Sequence, residues 1–136
     1  MAQHRDIDAL IAWLETVARR PFSWRSLHCA AYAAQAVKAQ GGGNPMAGIV
    51  CRSKRAAHAV LAAEGGMEAA VDRRLVRIPP ALASRGDIAG VPDDDFGVRL
   101  LVVEGATLVG PGATGAQRLP RSMMTMAWSA MPEGDA

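Results

Sequence analysis

Hydrophobic residues in the first part of the chain recur at the spacing of an α-helix. Between Asp6 and Arg20 the apolar positions lie three or four residues apart, at Ile7, Leu10, Ile11, Leu14 and Val17. Asp6 and Asp8 stand at the positive end of the helix dipole, and Arg19 and Arg20 stand at its negative end. The pattern predicts an amphipathic helix that ends before Pro21.

An alanine-rich segment predicts a second helix, which begins at Ser26 as its N-cap and runs to about Lys38. Gly41 and the two glycines after it end this helix. Because alanine side chains add little bulk, neighbouring elements can approach such a helix closely from several sides. We therefore expect the second helix to lie at the centre of the fold.

Two more helices are predicted before residue 79. Ser53 is a good N-cap for a third helix, which Gly65 and Gly66 close. Residues 67–75 make a short fourth helix, and Pro79 with its neighbouring proline ends the helical part of the chain.

From about Arg85 onward, short apolar runs alternate with Gly, Pro and Asp, which is the pattern of antiparallel strands. The runs occupy residues 86–92, 96–105, 106–112 and 125–130. A hairpin turn is predicted at Glu104 and Gly105. Helices first and strands afterward indicate an α+β fold, in which N-terminal helices pack on a small C-terminal antiparallel sheet.

The length of 136 residues predicts a single domain, 1–136, with a helical half at 6–78 and a sheet half at 86–130. Hydrophobic residues make up 50% of the chain, which separates it from disordered sequences. No apolar run approaches the roughly 20 residues that span a bilayer, and the N-terminus is charged. We therefore expect neither membrane insertion nor a secretory signal.

The charges of the chain are scattered and give a net charge of +2. Nucleic-acid binding requires basic side chains clustered along one face, so nucleic acid is not an expected partner. The two cysteines, Cys29 and Cys51, are too few for a disulfide framework, and we expect both to be free thiols.

Cys29 is the first candidate for chemistry. With Ser26 as N-cap, Cys29 falls in the first turn of the second helix, where free N–H groups and the helix dipole stabilise a thiolate. This position predicts a lowered thiol pKa and suits a nucleophile. The alternative interpretation is a small buried residue among alanines.

A cysteine nucleophile requires a histidine as general base, and few histidines are present. His4 precedes the first helix. His28 adjoins Cys29 and is expected to project about 100° away from it around the same helix. His58 falls within the third helix, and the sheet half contains no histidine. His28 and His58 are therefore the remaining candidate bases, and neither has a sequence reason to face the thiol.

No cofactor or metal site is predicted. Cys29, Cys51, His28 and His58 are all possible zinc ligands, but their spacing matches no compact zinc motif. The glycine-rich segments lack the phosphate-binding patterns of nucleotide sites. The acidic run 93–95 is interpreted as a turn between two strands, with cation binding as the alternative.

The order and spacing of several segments resemble a family of small phage and prophage tail proteins, which are themselves similar to NlpC-type papain-like cell-wall peptidases. The segments are residues 21–37, 67–75, 79–91 and 96–112, and the resemblance extends from about Asp6 to Trp128. It implies a papain-like fold of the NlpC type.

Residue by residue, the resemblance implies a degenerate peptidase. Cys29 corresponds to the nucleophile, and residues 85–87 correspond to the segment that leads into the sheet. His28 stands where the peptidases have an Asp, and Asp95 or Phe96 stands where they have the base histidine. We therefore expect Cys29 to be catalytically inactive.

The resemblance implies a structural or assembly component of a phage-like tail tip or baseplate. Other tail-tip and hub proteins would be its partners, with peptidoglycan as a possible contact. It would be made in the bacterial cytoplasm and located in the virion. The alternative is an active cysteine peptidase or amidase, which cleaves peptidoglycan peptides during genome entry with Cys29 and either His28 or His58. A third class is a small bacterial binding protein unrelated to phage.

Overall fold

The computed structural model describes residues 5–131, and within them four α-helices pack against a six-stranded antiparallel sheet. The helices are α1 (Ile7–Val17), α2 (Cys29–Ala39), α3 (Lys54–Glu64) and α4 (Met67–Asp72). The strands are β1 (Val76–Ile78), β2 (Ile88–Asp93), β3 (Gly97–Val103), β4 (Thr107–Gly112), β5 (Gly115–Pro120) and β6 (Met126–Ser129). The α+β class predicted from the sequence is confirmed.

Local capping explains where α1 and α3 begin. The Asp6 carboxylate accepts the N–H of Ala9 at 2.9 Å, and the Ser53 hydroxyl accepts the N–H of Ala56 at 3.0 Å. Gly65 ends α3 with a φ of 90°, which a glycine adopts without strain. The predicted start of α1 and both predicted boundaries of α3 are confirmed, whereas α1 ends at Val17, before Arg19 and Arg20.

The predicted start of α2 at Ser26 is wrong. Ser23 and Leu27 exchange two backbone hydrogen bonds of 3.2 and 2.8 Å, and this bridge holds the intervening residues in a turn. The N-cap is His28, whose Nδ1 accepts the N–H of Ala31 at 3.3 Å. Cys29 is therefore the first helical residue, and His28 lies before the helix.

The strand order is β1-β6-β2-β3-β4-β5, with every neighbouring pair antiparallel. The predicted hairpin is confirmed between β3 and β4, where the N–H of Glu104 donates to the carbonyl of Thr107 at 2.9 Å. The strands β1 and β5 were not predicted from the sequence. Both lie at the edges of the sheet, and β1 belongs to the part of the chain that was predicted to be helical.

Both faces of the sheet are apolar, because successive side chains along its central strands point to opposite faces. On β3, Leu100 and Val102 belong to the cluster that packs under the helices, while Leu101 and Val103 belong to a second cluster on the opposite face. Helix α2 packs directly on β3. Its side chains at Tyr32, Ala33, Ala34, Ala36 and Val37 are buried, which confirms its predicted central place. Among residues 5–131, no helix has the length and apolar content needed to cross a bilayer.

Candidate functional site

Cys29 lies in the first turn of α2, against the antiparallel sheet, as the sequence predicted. Its side chain is half-buried and lines a cleft of about 590 Å³. The cleft lies between the segment before α2, the β2–β3 turn and the β4–β5 turn. Its aromatic and charged lining residues are Phe22, Trp24, Lys54, Asp93, Asp95, Phe96 and Arg99.

The Cys29 thiol is not activated by its position. Burial raises its pKa, and this effect outweighs the backbone N–H groups of Leu100 and Ala30 and the charge of Arg99, which lower it. The expectation of a lowered thiol pKa at the start of α2 is therefore wrong. At neutral pH the thiol is protonated, which makes it a poor nucleophile.

His28 adjoins Cys29 in sequence but is engaged elsewhere. Its Nδ1 accepts the N–H of Ala31, and its ring stacks on Trp24 with centroids 5.7 Å apart. Burial lowers the pKa of His28, which keeps the imidazole neutral. The expectation that His28 lies within the same helix is wrong, because His28 is the N-cap that precedes the first helical residue. Protonation at Nδ1 would remove the cap of α2.

His58 is exposed on α3, and its ring stacks on Phe96 with centroids 4.2 Å apart and planes 17° apart. His58 does not line the cleft, whereas Phe96 does. Of these two stacked rings, the one that shares the cleft with Cys29 is therefore the phenyl ring of Phe96, which can neither accept nor return a proton. His4 lies outside the described residues.

A connected row of aromatic rings runs along one side of the cleft. Phe22 contacts Trp24 at 5.0 Å, Trp24 contacts Phe96 at 6.1 Å, and Phe96 continues the row to His58. The aromatic link before α2 is visible in the sequence, but the row is not, because Phe96 and His58 join it only through the tertiary fold.

The charged groups in the cleft balance. Lys54 pairs with Asp95 at 3.1 Å across the cleft. Arg99 donates to the side-chain oxygen of Gln117 at 2.7 Å and to the carbonyl of Pro111 at 3.3 Å. Asp93 supplies the second carboxylate of the lining. With two cations and two carboxylates among the described lining residues, the cleft suits an uncharged polar segment better than a strongly charged ligand.

The acidic run 93–95 forms the β2–β3 turn. The Asp93 carboxylate accepts the N–H of Asp95 at 3.2 Å and that of Phe96 at 2.8 Å, so it is a turn residue as predicted. Across residues 5–131, no three His, Cys, Asp or Glu side chains come together as a metal site would require. Cys29 and Cys51 are free thiols.

The segment 85–87 leads into β2, as the sequence predicted, and its role is structural. Asp87 is only 2% exposed, and its carboxylate forms an ion pair of 2.8 Å with the Arg5 guanidinium. Its carboxylate also accepts the backbone N–H groups of Ser84 at 2.8 Å and Ala130 at 3.1 Å. These contacts fix the start of β2 and leave Asp87 away from the cleft that Cys29 lines.

Residues 3–130 match the family described as a domain of unknown function, DUF6950. The chain belongs to this family. The match includes every helix and strand from α1 to β6, together with the cleft and Cys29. No curated protein matches the chain. The DUF6950 description states no activity, so a function has to be argued from the cleft itself.

Proposed function

We propose that this DUF6950 chain is a non-hydrolytic structural or assembly component of a phage-like tail tip or baseplate, built on a degenerate papain-like fold of the NlpC type. The observation that carries the proposal is Phe96. It places an aromatic ring in the cleft that Cys29 lines, immediately before β3. By the resemblance, Asp95 or Phe96 stands where the peptidases have their base histidine.

The arrangement around Cys29 supports a papain-like origin. Cys29 is the first residue of α2, and α2 packs on β3 of the antiparallel sheet. Phe96, the residue before β3, lines the same cleft as Cys29. This is the placement that the resemblance implies for a nucleophile and its base. By the resemblance, this chain keeps the nucleophile as Cys29 and has Asp95 or Phe96 in place of the base.

The energetics favour a loss of hydrolysis. General acid–base assistance contributes about 10²–10⁴-fold to such reactions, and Phe96 supplies none. Burial adds a second obstacle, because the raised pKa of the Cys29 thiol reduces the thiolate fraction. His28 caps α2 and His58 stacks on Phe96, so neither described histidine is placed as a base.

The cleft retains features of a docking site. Trp and Arg are frequent among the residues that dominate protein interfaces, and Trp24 and Arg99 both line the cleft. The balanced charges suit a segment of a neighbouring tail-tip or hub protein. We propose that such a segment occupies the cleft and that this contact places the protein in the virion.

The second candidate function is an active cysteine peptidase or amidase that cleaves peptidoglycan peptides. One observation favours it: Cys29 is half-buried rather than fully enclosed, and the cleft it lines is large enough to admit a peptide. This function would need His28 or His58 to move from its present contacts.

Hydrolysis can be tested directly. Purified protein and its Cys29→Ala variant are incubated with peptidoglycan fragments, and released peptides are measured by mass spectrometry. We expect no release from either protein above a buffer control. Release by the parent that Cys29→Ala abolishes would establish the peptidase, and His28→Ala and His58→Ala would then identify its base.

Docking is tested by co-expression with the proteins encoded beside this chain. We expect a tail-tip or hub protein to co-purify with the parent and to be lost with Trp24→Ala. The exposed Arg20, which lies outside the cleft, provides the control Arg20→Ala. Retention of the partner by Trp24→Ala would contradict docking in the cleft.

A further inference from the structure

His28 connects the first turn of α2 to the aromatic wall of the cleft. Its Nδ1 accepts the N–H of Ala31 at 3.3 Å, and its carbonyl accepts the N–H of Tyr32 at 2.8 Å. The imidazole also stacks on Trp24, with planes 28° apart. Trp24 lines the cleft and His28 does not, so His28 acts on the cleft only through its neighbours.

The position of Trp24 depends on the contacts of His28. Residues 24–26 lie in the turn closed by the bridge between Ser23 and Leu27, and His28 follows that bridge directly. The indole stacks on His28 and contacts Phe22 edge to face at 5.0 Å. A displacement of His28 would therefore reach Trp24 through both the chain and the stack.

A proton on Nδ1 is incompatible with this position of His28. Nδ1 would become a donor that faces the N–H of Ala31, so the cap hydrogen bond would be lost. The imidazolium would also lie at the positive end of the α2 dipole, where a cation is unfavourable. His28 is only 6% exposed, so water cannot stabilise the charge.

The surroundings of His28 do not compensate such a charge. The pocket that His28 lines has four other titratable side chains among the described residues, namely Cys29, Cys51, Glu64 and Arg74. Glu64 and Arg74 pair with each other at 2.6 Å, and burial raises the pKa of both thiols. The sheet contributes only apolar side chains to this pocket. The charged residues of the cleft do not line it.

The face of Trp24 is the one described contact here that favours a cation. The loss of the cap, the helix dipole and burial all oppose it. Burial prevails over the stack, since it lowers the pKa of His28 and keeps the imidazole neutral at neutral pH.

We propose that protonation of His28 breaks its contacts with Ala31 and Trp24 and thereby disrupts the cleft, so that the partner segment binds at neutral pH and is released as the pH falls. The proton comes from solvent to Nδ1 and returns to solvent when the pH rises, so the change is reversible. The release of a partner rests on the proposed docking function, whereas the change at Trp24 is a property of the protein alone.

Tryptophan fluorescence of the intact protein tests the change at Trp24. As the pH is lowered from 8 to 5, we expect the emission maximum to shift reversibly to longer wavelength, because an indole that loses a buried neighbour gains contact with water. The midpoint should lie below the ordinary histidine pKa of 6.5. Trp24→Phe should remove the shift, since Trp13 packs on Tyr32 and Trp128 on Arg77.

His28→Asn and His58→Asn make the matched comparison. Asparagine accepts an N-cap hydrogen bond but does not titrate in this range, so His28→Asn should lose the shift. His58 stacks on Phe96 rather than on Trp24, so His58→Asn should keep it. Circular dichroism checks folding, and His28→Ser, with another N-cap residue, replaces His28→Asn if the latter does not fold.

The change at Trp24 is overturned by an emission maximum that stays constant, or by a shift that persists in His28→Asn or Trp24→Phe. It is also overturned by a shift that His58→Asn removes, or by one that coincides with loss of the helical circular dichroism signal, which would mean global unfolding. A shift of the folded parent that depends on His28 and Trp24 and not on His58 would establish it.

The release of the partner is tested on the complex. The parent and His28→Asn are each co-purified with a tail-tip or hub protein at pH 7.5 and then washed at pH 5.5. We expect the partner to be released from the parent and retained by His28→Asn. Equal release or equal retention would contradict this regulation and leave docking intact. If no partner co-purifies at pH 7.5, docking itself fails, and the fluorescence measurement still decides the change at Trp24.

Discussion

At the scale of single residues, burial decides the chemistry that the local sequence leaves open. The start of α2 places Cys29 where a helix dipole stabilises a thiolate, yet desolvation raises the pKa of its thiol. The same applies to His28, whose pKa is lowered by burial while its Nδ1 caps the helix. Neither effect can be read from sequence, because both depend on the rings and strands packed around the two side chains.

The His28 cap predicts a dependence of stability on pH. Because its pKa is lower in the folded protein than in the unfolded chain, the unfolded chain binds the proton more readily. Its contribution is complete above the ordinary pKa of about 6.5 and is lost as the pH falls toward the folded value. We expect the midpoint of thermal unfolding to decrease between pH 7.5 and pH 5.5.

His28→Asn isolates this effect. Asparagine also accepts an N-cap hydrogen bond but does not titrate in this range. The variant should therefore show a smaller decrease over the same interval, measured by circular dichroism. The ion-paired Glu64, with a pKa of about 2, does not titrate there. A decrease equal to that of the parent would contradict the role given to His28.

At the scale of elements, the helices and central strands could be predicted because they carry their own signals. Capping residues and apolar spacing determine α1 and α3, and short apolar runs bounded by Gly, Pro and Asp determine β2 and β3. The edge strands β1 and β5 carry weaker signals. In β5, Gln117 and Arg118 are exposed, so pairing with β4 rather than an apolar pattern makes it a strand.

In the candidate site too, features that depend on local sequence could be predicted, and contacts between separate elements could not. The position of Cys29 near a helix start could be inferred from order along the chain, as could the lack of a histidine at the start of β3. The stacking of His58 on Phe96 and the pairing of Lys54 with Asp95 could not, because each joins separate elements. The exact start of α2 was missed because the bridge between Ser23 and Leu27 competes with helix formation.

Contact between α2 and the start of β2 yields a prediction at Gly86. A Cβ at this glycine would lie 2.1 Å from the side-chain oxygen of Gln40, which is buried at the end of α2. The Gln40 amide donates to the carbonyls of Ala36 at 3.0 Å and Gly86 at 2.9 Å. We expect Gly86→Ala to lower the free energy of unfolding by about 2–4 kcal/mol in urea titrations.

Gly41 supplies the matched control. Its φ of +97° is nearly that of Gly86 at +95°, but a Cβ there meets nothing within 4 Å. Gly41→Ala should cost only the backbone strain of about 1 kcal/mol. Equal costs at the two positions would show that the Gln40 contact is unimportant.

At the scale of the whole molecule, Asp87 joins distant parts of the chain. Its carboxylate pairs with Arg5 before α1 and accepts the N–H of Ala130 after β6. Arg5 in turn donates to the carbonyl of Arg85 at 2.9 Å. The beginning of the described chain, the start of β2 and the end of the sheet are thus held together by one buried charged group.

This arrangement predicts that Asp87→Asn destabilises the protein by about 3–5 kcal/mol, the cost of leaving one partner of a buried ion pair without the other. The side chain of Arg5 is 13% exposed and that of Asp87 is 3% exposed, so water cannot replace the lost charge. Urea unfolding at pH 7 measures the loss. The exposed pair of Glu68 with Arg77 gives the control, since Glu68→Gln should cost less than about 1 kcal/mol. Similar costs for the two substitutions would mean that Asp87 does not hold the ends of the fold together.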